Sequence, residues 1–279
     1  MNANTKALKI LVRAREDFQA QRKRMDNRIG RKASGEDQDV DERMFLASDL
    51  ESFVDISDAA KEQEKQIQRK LSKLLKRFDI YNEHLKGVKG VGPISAAHII
   101  SQVDIHIAKT VSKIWQYCGL NPSKIRGKKR VQTKKPKTYK PKNKGWKVLS
   151  RRDEHVIILT DERIRGDKLT AGFISPYNKN LKTALMGVLA SGFIKAQAPY
   201  ALDFYYPYKE RLEHRTDKVM HNGEKTPWED VSKGHRDMAA KRYMIKMFLK
   251  DLYVVWRELE GLDTRKSYQE QYLKHKHTA

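Results

Sequence analysis

The chain has 279 residues, of which 58 are Lys or Arg and 35 are Asp or Glu, so its formal net charge is +23. Hydrophobic residues make up 39% of the chain, which excludes the disordered class and allows a buried core. Because so large a positive excess opposes folding unless a polyanion balances it, we expect a nucleic acid as the partner.

The sequence also argues against membrane insertion, secretion and disulfide bonding. No apolar run approaches the roughly 18 residues that a membrane-spanning helix needs. Charges at Lys9, Arg13 and Arg15 interrupt any signal-peptide core. The single cysteine, Cys118, has no partner for an intramolecular disulfide. We therefore expect a cytoplasmic, nucleoid-associated protein that does not bind membranes.

Helical periodicity dominates the first 85 residues. The pattern predicts a helix over residues 5–29, a glycine-containing loop over 30–40, and a longer helix over about 41–85. Polar residues occupy two slots of a heptad seam in the longer helix, Ser57 and Glu64. The apolar residues of the seam are Leu46, Leu50, Phe53, Ala60, Ile67, Leu71, Leu74, Phe78, Tyr81 and Leu85. The seam predicts a helical partner, which is either the N-terminal helix of the same chain or a second copy.

A glycine-rich turn between two helices is the most informative local motif, over residues 85–103 (LKGVKGVGPISAAHIISQV). Glycine permits positive φ angles, and Pro93 suits the first position of a helix. Free N–H groups at that helix start can bind phosphate, which is the helix-hairpin-helix mode of sequence-independent binding. A purely structural connector is the alternative. The predicted contacts are Lys89, Gly90, Val91, Gly92 and Ser95.

Residues 124–152 form a basic insert that is almost free of acids. Pro136 and Pro141 interrupt it, so we predict a loop whose cations neutralise phosphates while aromatic side chains stack on bases. A solvated loop without a target is the alternative. The apolar run within residues 154–164 predicts a β-hairpin over the insert. The predicted contacts are Arg126, Lys128, Lys129, Arg130, Lys134, Lys135, Lys137, Tyr139, Lys140 and Trp146.

The remaining pattern completes a mainly α fold class. Helices with apolar core faces are predicted over residues 178–197 and 236–259, joined by a connector over 198–232. We predict a long helical or coiled-coil arm over residues 1–85. A helical domain with the glycine turn, a small β-hairpin and the basic insert follows over residues 86–279.

Several stretches, in order and spacing, resemble the insertion-sequence transposases that join a RuvC-like domain, through a coiled coil, to a serine-containing helix-hairpin-helix domain. Besides the heptad segment they are LKILVRAREDFQAQRKRMDNRIG, LKGVKGVGPISAAHIIS, IWQYCGLNPS, ISPYNKNLKTALMGVLASG and AAKRYMIKMFLKDLYVVWREL. The resemblance implies a role in DNA transposition and recombination, and a structured bridge RNA as guide. It also implies a divalent metal held by four acids of the RuvC-like part.

This chain resembles the coiled-coil and C-terminal parts of those transposases and not the RuvC-like part. We therefore expect no cofactor in the chain itself and Mg²⁺ only where a RuvC-like partner supplies it. The helical arm is expected to associate with that partner or with a second copy of the chain.

The nucleophilic serine that the resemblance implies is missing from its expected position in this chain. It stands in a Ser-Gly-Lys sequence in the family, whereas this chain has Arg126, Gly127 and Lys128 there. Ser123 and Ser175 are the nearest alternatives, and Ser123 is the one catalytic candidate. A helix cap or a phosphate contact is nevertheless favoured for Ser123, because no base is recognisable beside it.

Metal binding by the chain itself is not predicted. The acids Asp153, Glu154, Asp161, Glu162 and Asp167 could ligate Mg²⁺ through oxygen, but a solvated turn is the favoured interpretation. The histidines, including His84, His98, His275 and His277, lack the spacing of a zinc site.

Two functions follow from the sequence. The first is a transposase-family protein that binds DNA, with structured guide RNA as a further ligand, while a separate RuvC-like subunit supplies catalysis. The second is a self-contained enzyme that cuts or joins DNA with a serine nucleophile or metal-bound carboxylates. We favour the first, because no complete catalytic site is recognisable.

Overall fold

The protein, described from a computed structural model, is mainly α as predicted: 57% of the described residues are helical, and they also form a small antiparallel sheet. The structure describes residues 2–29, 47–141, 143–152, 154–221 and 223–265. The predicted loop over residues 30–40 and the two C-terminal histidines lie outside these ranges. Two compact units comprise residues 1–104 and 105–279. The sequence placed the division after residue 85, but the helix after the glycine turn packs on the two long helices and groups with them.

The described part of the first unit contains four α-helices: α1 (Ala3–Arg28), α2 (Ala47–Leu75), α3 (Asp79–Glu83) and α4 (Pro93–Gln102). The prediction of one helix continuing to residue 85 is wrong. The N–H groups of Arg77 and Phe78 bond three residues back, to Leu74 and Leu75, which tightens the last turn. Phe78 is then extended, with φ −113° and ψ 122°, so the chain turns away before α3.

The seam of α2 packs against α1 of the same chain. The pairs Asp26–Ser57 and Arg22–Glu64 run in opposite chain directions, so the two helices are antiparallel. Leu75 is fully buried in place of the predicted Leu74, which is half-buried. The other buried seam residues are Ser57, Ala60, Glu64, Ile67 and Leu71.

Polar groups of α1 satisfy both polar slots of the seam. The Ser57 hydroxyl donates to Oδ1 of Asp26 at 2.6 Å. Nε of Arg22 donates to Oε1 of Glu64 at 3.0 Å, and Nη1 of Arg22 donates to Oδ2 of Asp26 at 2.8 Å. Buried polar groups favour one register only when every member is paired, so these four residues select the α1–α2 alignment.

The second unit combines helices with two small sheets. Its helices are α5 (Val111–Tyr117), α6 (Lys179–Thr183), α7 (Ala190–Lys195), α8 (Tyr206–Glu213) and α9 (Lys233–Leu259). Its strands are β1 (Lys124–Gln132), β2 (Lys147–Arg152), β3 (His155–Arg165), β4 (Lys218–His221) and β5 (Glu224–Pro227). The predicted connector over 198–232 therefore contains α8 and the β4–β5 hairpin.

The core of the second unit forms where α9 meets the predicted helix over 178–197. Phe193 and Phe248 pack edge to face with ring centroids 5.3 Å apart. A π-helical segment, Ala184–Leu189, joins α6 to α7 and shifts the side chains around the axis. As a result Val188, predicted to be core, is 58% exposed, while Leu185 and Leu189 are buried.

The start of the second unit is held by the C-terminal part of α9. The buried Arg257 donates from Nη1 to the carbonyl oxygens of Ile105 and Ala108, at 3.1 and 3.2 Å. The Tyr253 hydroxyl donates to the carbonyl of Lys109 at 3.0 Å. Among the described residues, no helix is long and apolar enough to cross a bilayer.

We predict that Glu64→Ala lowers the free energy of unfolding by about 1–3 kcal/mol, because it leaves the part-buried Arg22 without its main acceptor. Glu62→Ala on the same helix is the matched control. Its ion pairs are exposed, so its cost is expected below about 1 kcal/mol. Urea unfolding followed by circular dichroism checks both, and equal losses would contradict the register role of Glu64.

Candidate nucleic-acid interface

The basic insert folds at both ends into a three-stranded antiparallel sheet of order β1–β3–β2. The predicted hairpin is present, but the prediction that the whole insert is a loop is wrong. The β-branched run of β3 pairs with β1 on one side and with β2 on the other, so β3 satisfies the inward-facing backbone groups of both basic edge strands.

The pairing register assigns the side chains of the sheet to two faces. Val156, Ile158 and Thr160 of β3 are buried and define the inner face. Their neighbours Lys129 and Val131 of β1, and Val148 and Arg151 of β2, share that face because directly paired residues point the same way. Bulges after Arg126 and after Val148 reset the alternation, so it cannot be counted from the strand ends.

The opposite side, which we call the outer face, carries positive charge on both edge strands. Lys128 and Arg130 project from β1, and Lys147 and Arg152 project from β2. All four are exposed, and among the described residues none has an acidic partner at ion-pair distance. Within the paired segment from His155 to Leu159, the other outer-face residues are Gln132, Ser150, His155, Ile157 and Leu159, none of which is an acid.

Two predicted contacts, Arg126 and Lys129, are held in structural interactions instead. Arg126 donates from Nε to the carbonyl of Thr160 at 2.9 Å and from Nη2 to Oδ1 of Asp161 at 2.6 Å. Nζ of Lys129 donates to Oε1 of Glu162 at 2.6 Å. The same Nζ lies 4.5 Å from the ring centroid of Phe173.

Lys129 also engages Trp146, whose half-buried ring lies 5.7 Å from Nζ. The segment that joins β1 to β2 is fastened by Arg151, which donates from Nη1 to the carbonyls of Pro136 and Tyr139, at 2.7 and 3.0 Å. The two aromatic residues that were predicted to stack on bases, Tyr139 and Trp146, are both half-buried in this segment. Its predicted cations remain exposed: Lys134, Lys135, Lys137 and Lys140.

The glycine turn lies in the first unit and has one residue in the left-handed region, Gly90, with φ 92°. Gly92 is extended, with φ −84°, and precedes Pro93 as the N-cap of α4. The N–H of Val91 donates to the carbonyl of Val88 at 3.0 Å, so it serves the turn itself. Lys89 is exposed.

Ser95, another predicted contact, differs from Lys89 because it is only 8% exposed. It lies in the first turn of α4, so little of its side chain is left for a ligand.

Neither candidate serine has a base bonded to it in the described part of the chain. Ser123 is exposed in the loop before β1 and does not cap a helix; its N–H donates to Oδ1 of Asn121 at 3.1 Å. The hydroxyl of Ser175 donates to the carbonyl of Tyr177 at 2.8 Å.

The predicted turn acids are distributed differently. Asp161 and Glu162 belong to β3 and form ion pairs, while Asp167 binds Arg165 through both carboxylate oxygens. Asp153 lies outside the described residues. Across the described ranges, no group of three or more His, Cys, Asp or Glu is arranged to hold a metal ion.

Sequence reasoning missed Lys147 and Arg152 as members of a binding surface. The sequence pattern assigns both to the end of a loop, and their strand is visible only through its pairing with β3. The alternation of exposed cations with aliphatic residues in LysValLeuSerArgArg is the one available signal, and the bulge at Leu149 obscures it.

One comparison with known proteins identifies a relationship. The sequence model of the transposase IS116/IS110/IS902 family matches residues 82–143, which include the glycine turn, α4, α5 and β1. No curated protein and no solved structure matches the chain. The match supports a transposase family and a role in transposition.

We predict that Gly127→Ala destabilises the second unit by about 1–3 kcal/mol through overpacking. An added Cβ would lie 2.3 Å from Cε1 of Phe173, whose ring covers Lys129. Gly187→Ala is the matched control, because nothing lies within 4 Å of its added Cβ. Thermal unfolding measures both, and Phe173→Leu should recover part of the loss. A Gly127→Ala protein with the same Tm as the wild type would contradict this packing.

Proposed function

We propose that the protein is a nucleic-acid-binding component of a DNA-transposition complex, and that the outer face of the β1–β3–β2 sheet is its main contact with the nucleic-acid backbone. The observation that carries the proposal is the set of four exposed cations, Lys128, Arg130, Lys147 and Arg152, on one face of the sheet, where the paired segment from His155 to Leu159 contains no acid. Cations without protein partners can neutralise phosphates and release counterions.

The geometry of the face favours a duplex backbone. Because neighbouring strands lie about 4.8 Å apart, the cation rows on β1 and β2 are separated by about 10 Å. This spacing is close to the roughly 12 Å width of the DNA major groove, so the two rows can contact phosphates on both strands. Between them lie the half-buried Ile157 and Leu159. The outer-face residues include no Phe, Tyr or Trp, which argues against a stacking platform for single strands.

DNA is the proposed ligand, and structured guide RNA is a second candidate that presents the same phosphates. The glycine turn of the first unit is a separate proposed contact, in which Lys89 and the backbone of Gly90 and Gly92 would bind phosphate. The exposed lysines of the β1–β2 connection would add electrostatic attraction without a fixed geometry. The proposed location is the nucleoid.

Catalysis is assigned to a RuvC-like part outside these residues. Arg126 stands where the resemblance places the family serine, and its guanidinium donates hydrogen bonds to Thr160 and Asp161. Because the described carboxylates are not arranged to hold a metal ion, no step of the proposal runs through Mg²⁺ bound to this chain. The helical arm is proposed to associate with that RuvC-like partner or with a second copy. Its exposed apolar side chains include Ile10 and Ile56, at 67% and 39% exposed.

We predict that replacing the four outer-face cations with Gln weakens duplex binding and flattens its salt dependence. Each of these side chains is expected to neutralise one phosphate. The negative slope of log K against log salt should therefore become shallower by about 3–4. Fluorescence anisotropy with duplex DNA and with a structured RNA, titrated at several salt concentrations, measures this slope.

The matched control replaces four exposed lysines outside the sheet, Lys113, Lys195, Lys225 and Lys233, with Gln. This variant removes the same amount of charge, so its slope should change by less than about 1. The proposal fails if both variants change equally, since net charge alone would then account for binding.

A further inference from the structure

A second cationic group lies in the second unit, built from residues far apart in sequence. We call it the Asp167 cluster: Arg165, Asp167, Lys182, Arg242 and Lys246. Arg165 ends β3, Lys182 lies in α6, and Arg242 and Lys246 lie one turn apart in α9. None of these residues belongs to the outer face.

Asp167 is the centre of the cluster. It is 3% exposed and accepts hydrogen bonds from Nε and Nη2 of Arg165, both at 2.9 Å. Nζ of Lys182 donates to the backbone carbonyl of Asp167 at 2.6 Å. Burial alone would raise the pKa of Asp167, but the hydrogen bonds and charge of Arg165, with the charges of Arg242 and Lys182, lower it overall. The carboxylate is therefore ionised and fixed.

The cluster contains more positive charge than Asp167 can neutralise. The four cations of the cluster outnumber its one carboxylate, which leaves an excess of three charges (4 − 1) when both lysines are protonated. Burial and then the charge of Arg242 lower the pKa of Lys246 to about 8, although Asp167 opposes this. If the network served only to hold β3 against α9, its positive and negative charges should balance, because buried charges in proteins are normally paired.

Arg242 provides an independent indication of an anion-binding site. Its Nε is buried, and among the described residues it has no hydrogen-bond partner. An unpaired buried N–H is costly, and the guanidinium edge matches the oxygens of a phosphate. The cluster is also open to solvent on one side, since 41% of the Arg165 side chain is exposed.

We propose that the Asp167 cluster is a binding site for a phosphate group, with Arg242 and Lys246 as the contacting residues and Asp167 as the residue that positions Arg165 and Lys182. The source of the phosphate is either the nucleic-acid backbone, in which case the inference rests on the proposed function, or free inorganic phosphate.

The first experiment uses the full chain and inorganic phosphate, so it does not depend on nucleic-acid binding. Phosphate should raise the Tm of the wild type above that in chloride of equal ionic strength, because a ligand that binds the folded state stabilises it. The double variant Arg242→Gln, Lys246→Gln should lose this difference. The control Lys113→Gln, Lys195→Gln removes the same charge from exposed positions and should keep it.

Arg242→Lys tests geometry as well as charge, since it keeps the cation but removes the guanidinium fork. It should retain a reduced phosphate effect, and circular dichroism verifies that each variant is folded. The inference is overturned if phosphate stabilises the wild type no more than chloride does, or if the double variant keeps the full effect.

The second experiment identifies the source of the phosphate. If the nucleic-acid backbone occupies the cluster, the double variant should bind duplex DNA with a slope of log K against log salt that is shallower by about 0.9 than that of the control. A slope equal to that of the control, together with loss of the phosphate effect on Tm, assigns the cluster to free phosphate. If the wild type binds neither DNA nor RNA, the proposed function is contradicted. The phosphate effect on Tm would still support the binding site.

Discussion

The register between β3 and its two basic neighbours determines how the charges of the insert are used. A strand places successive side chains on opposite faces, so a shift of one residue would exchange the two sets of cations. In the observed register Lys129 points inward to Glu162 and Phe173, while Lys128 and Arg130 point outward without acidic partners among the described residues. The buried Val156 and Ile158 fix this register, because only one face of β3 can be covered.

Elsewhere in the described chain, too, some cations bind protein groups and stabilise the fold, whereas others remain able to bind a ligand. In the first unit, Arg22 meets Glu64 and Asp26 at the α1–α2 seam and serves alignment. In the second unit, Arg257 holds the carbonyls of residues 105 and 108 and serves packing. The net charge of +23 is thus a poor guide to binding by itself. What matters is where cations outnumber the acids around them on a fixed scaffold, as on the outer face of the sheet and in the Asp167 cluster.

Local periodicity is enough to predict most of the helices, and long-range pairing explains most of what it misses. The predictions around α1, α2 and α9 follow from apolar spacing, and the positive φ of Gly90 follows from its place in a tight turn. The prediction for Val188 is wrong because a π-helical segment shifts the register, which spacing alone does not reveal. The sequence cannot pair Arg126 with Asp161, 35 residues later, and so cannot separate inward from outward cations.

The central claim is that nucleic acid covers the outer face of the sheet. Acetylation of lysines with and without duplex DNA, read by mass spectrometry, tests it directly, because it reports which amines become covered. The account predicts strong protection of Lys128 and Lys147, with Lys113 and Lys195 reacting equally in both states. Full reactivity of Lys128 and Lys147 in a DNA-saturated sample would contradict it.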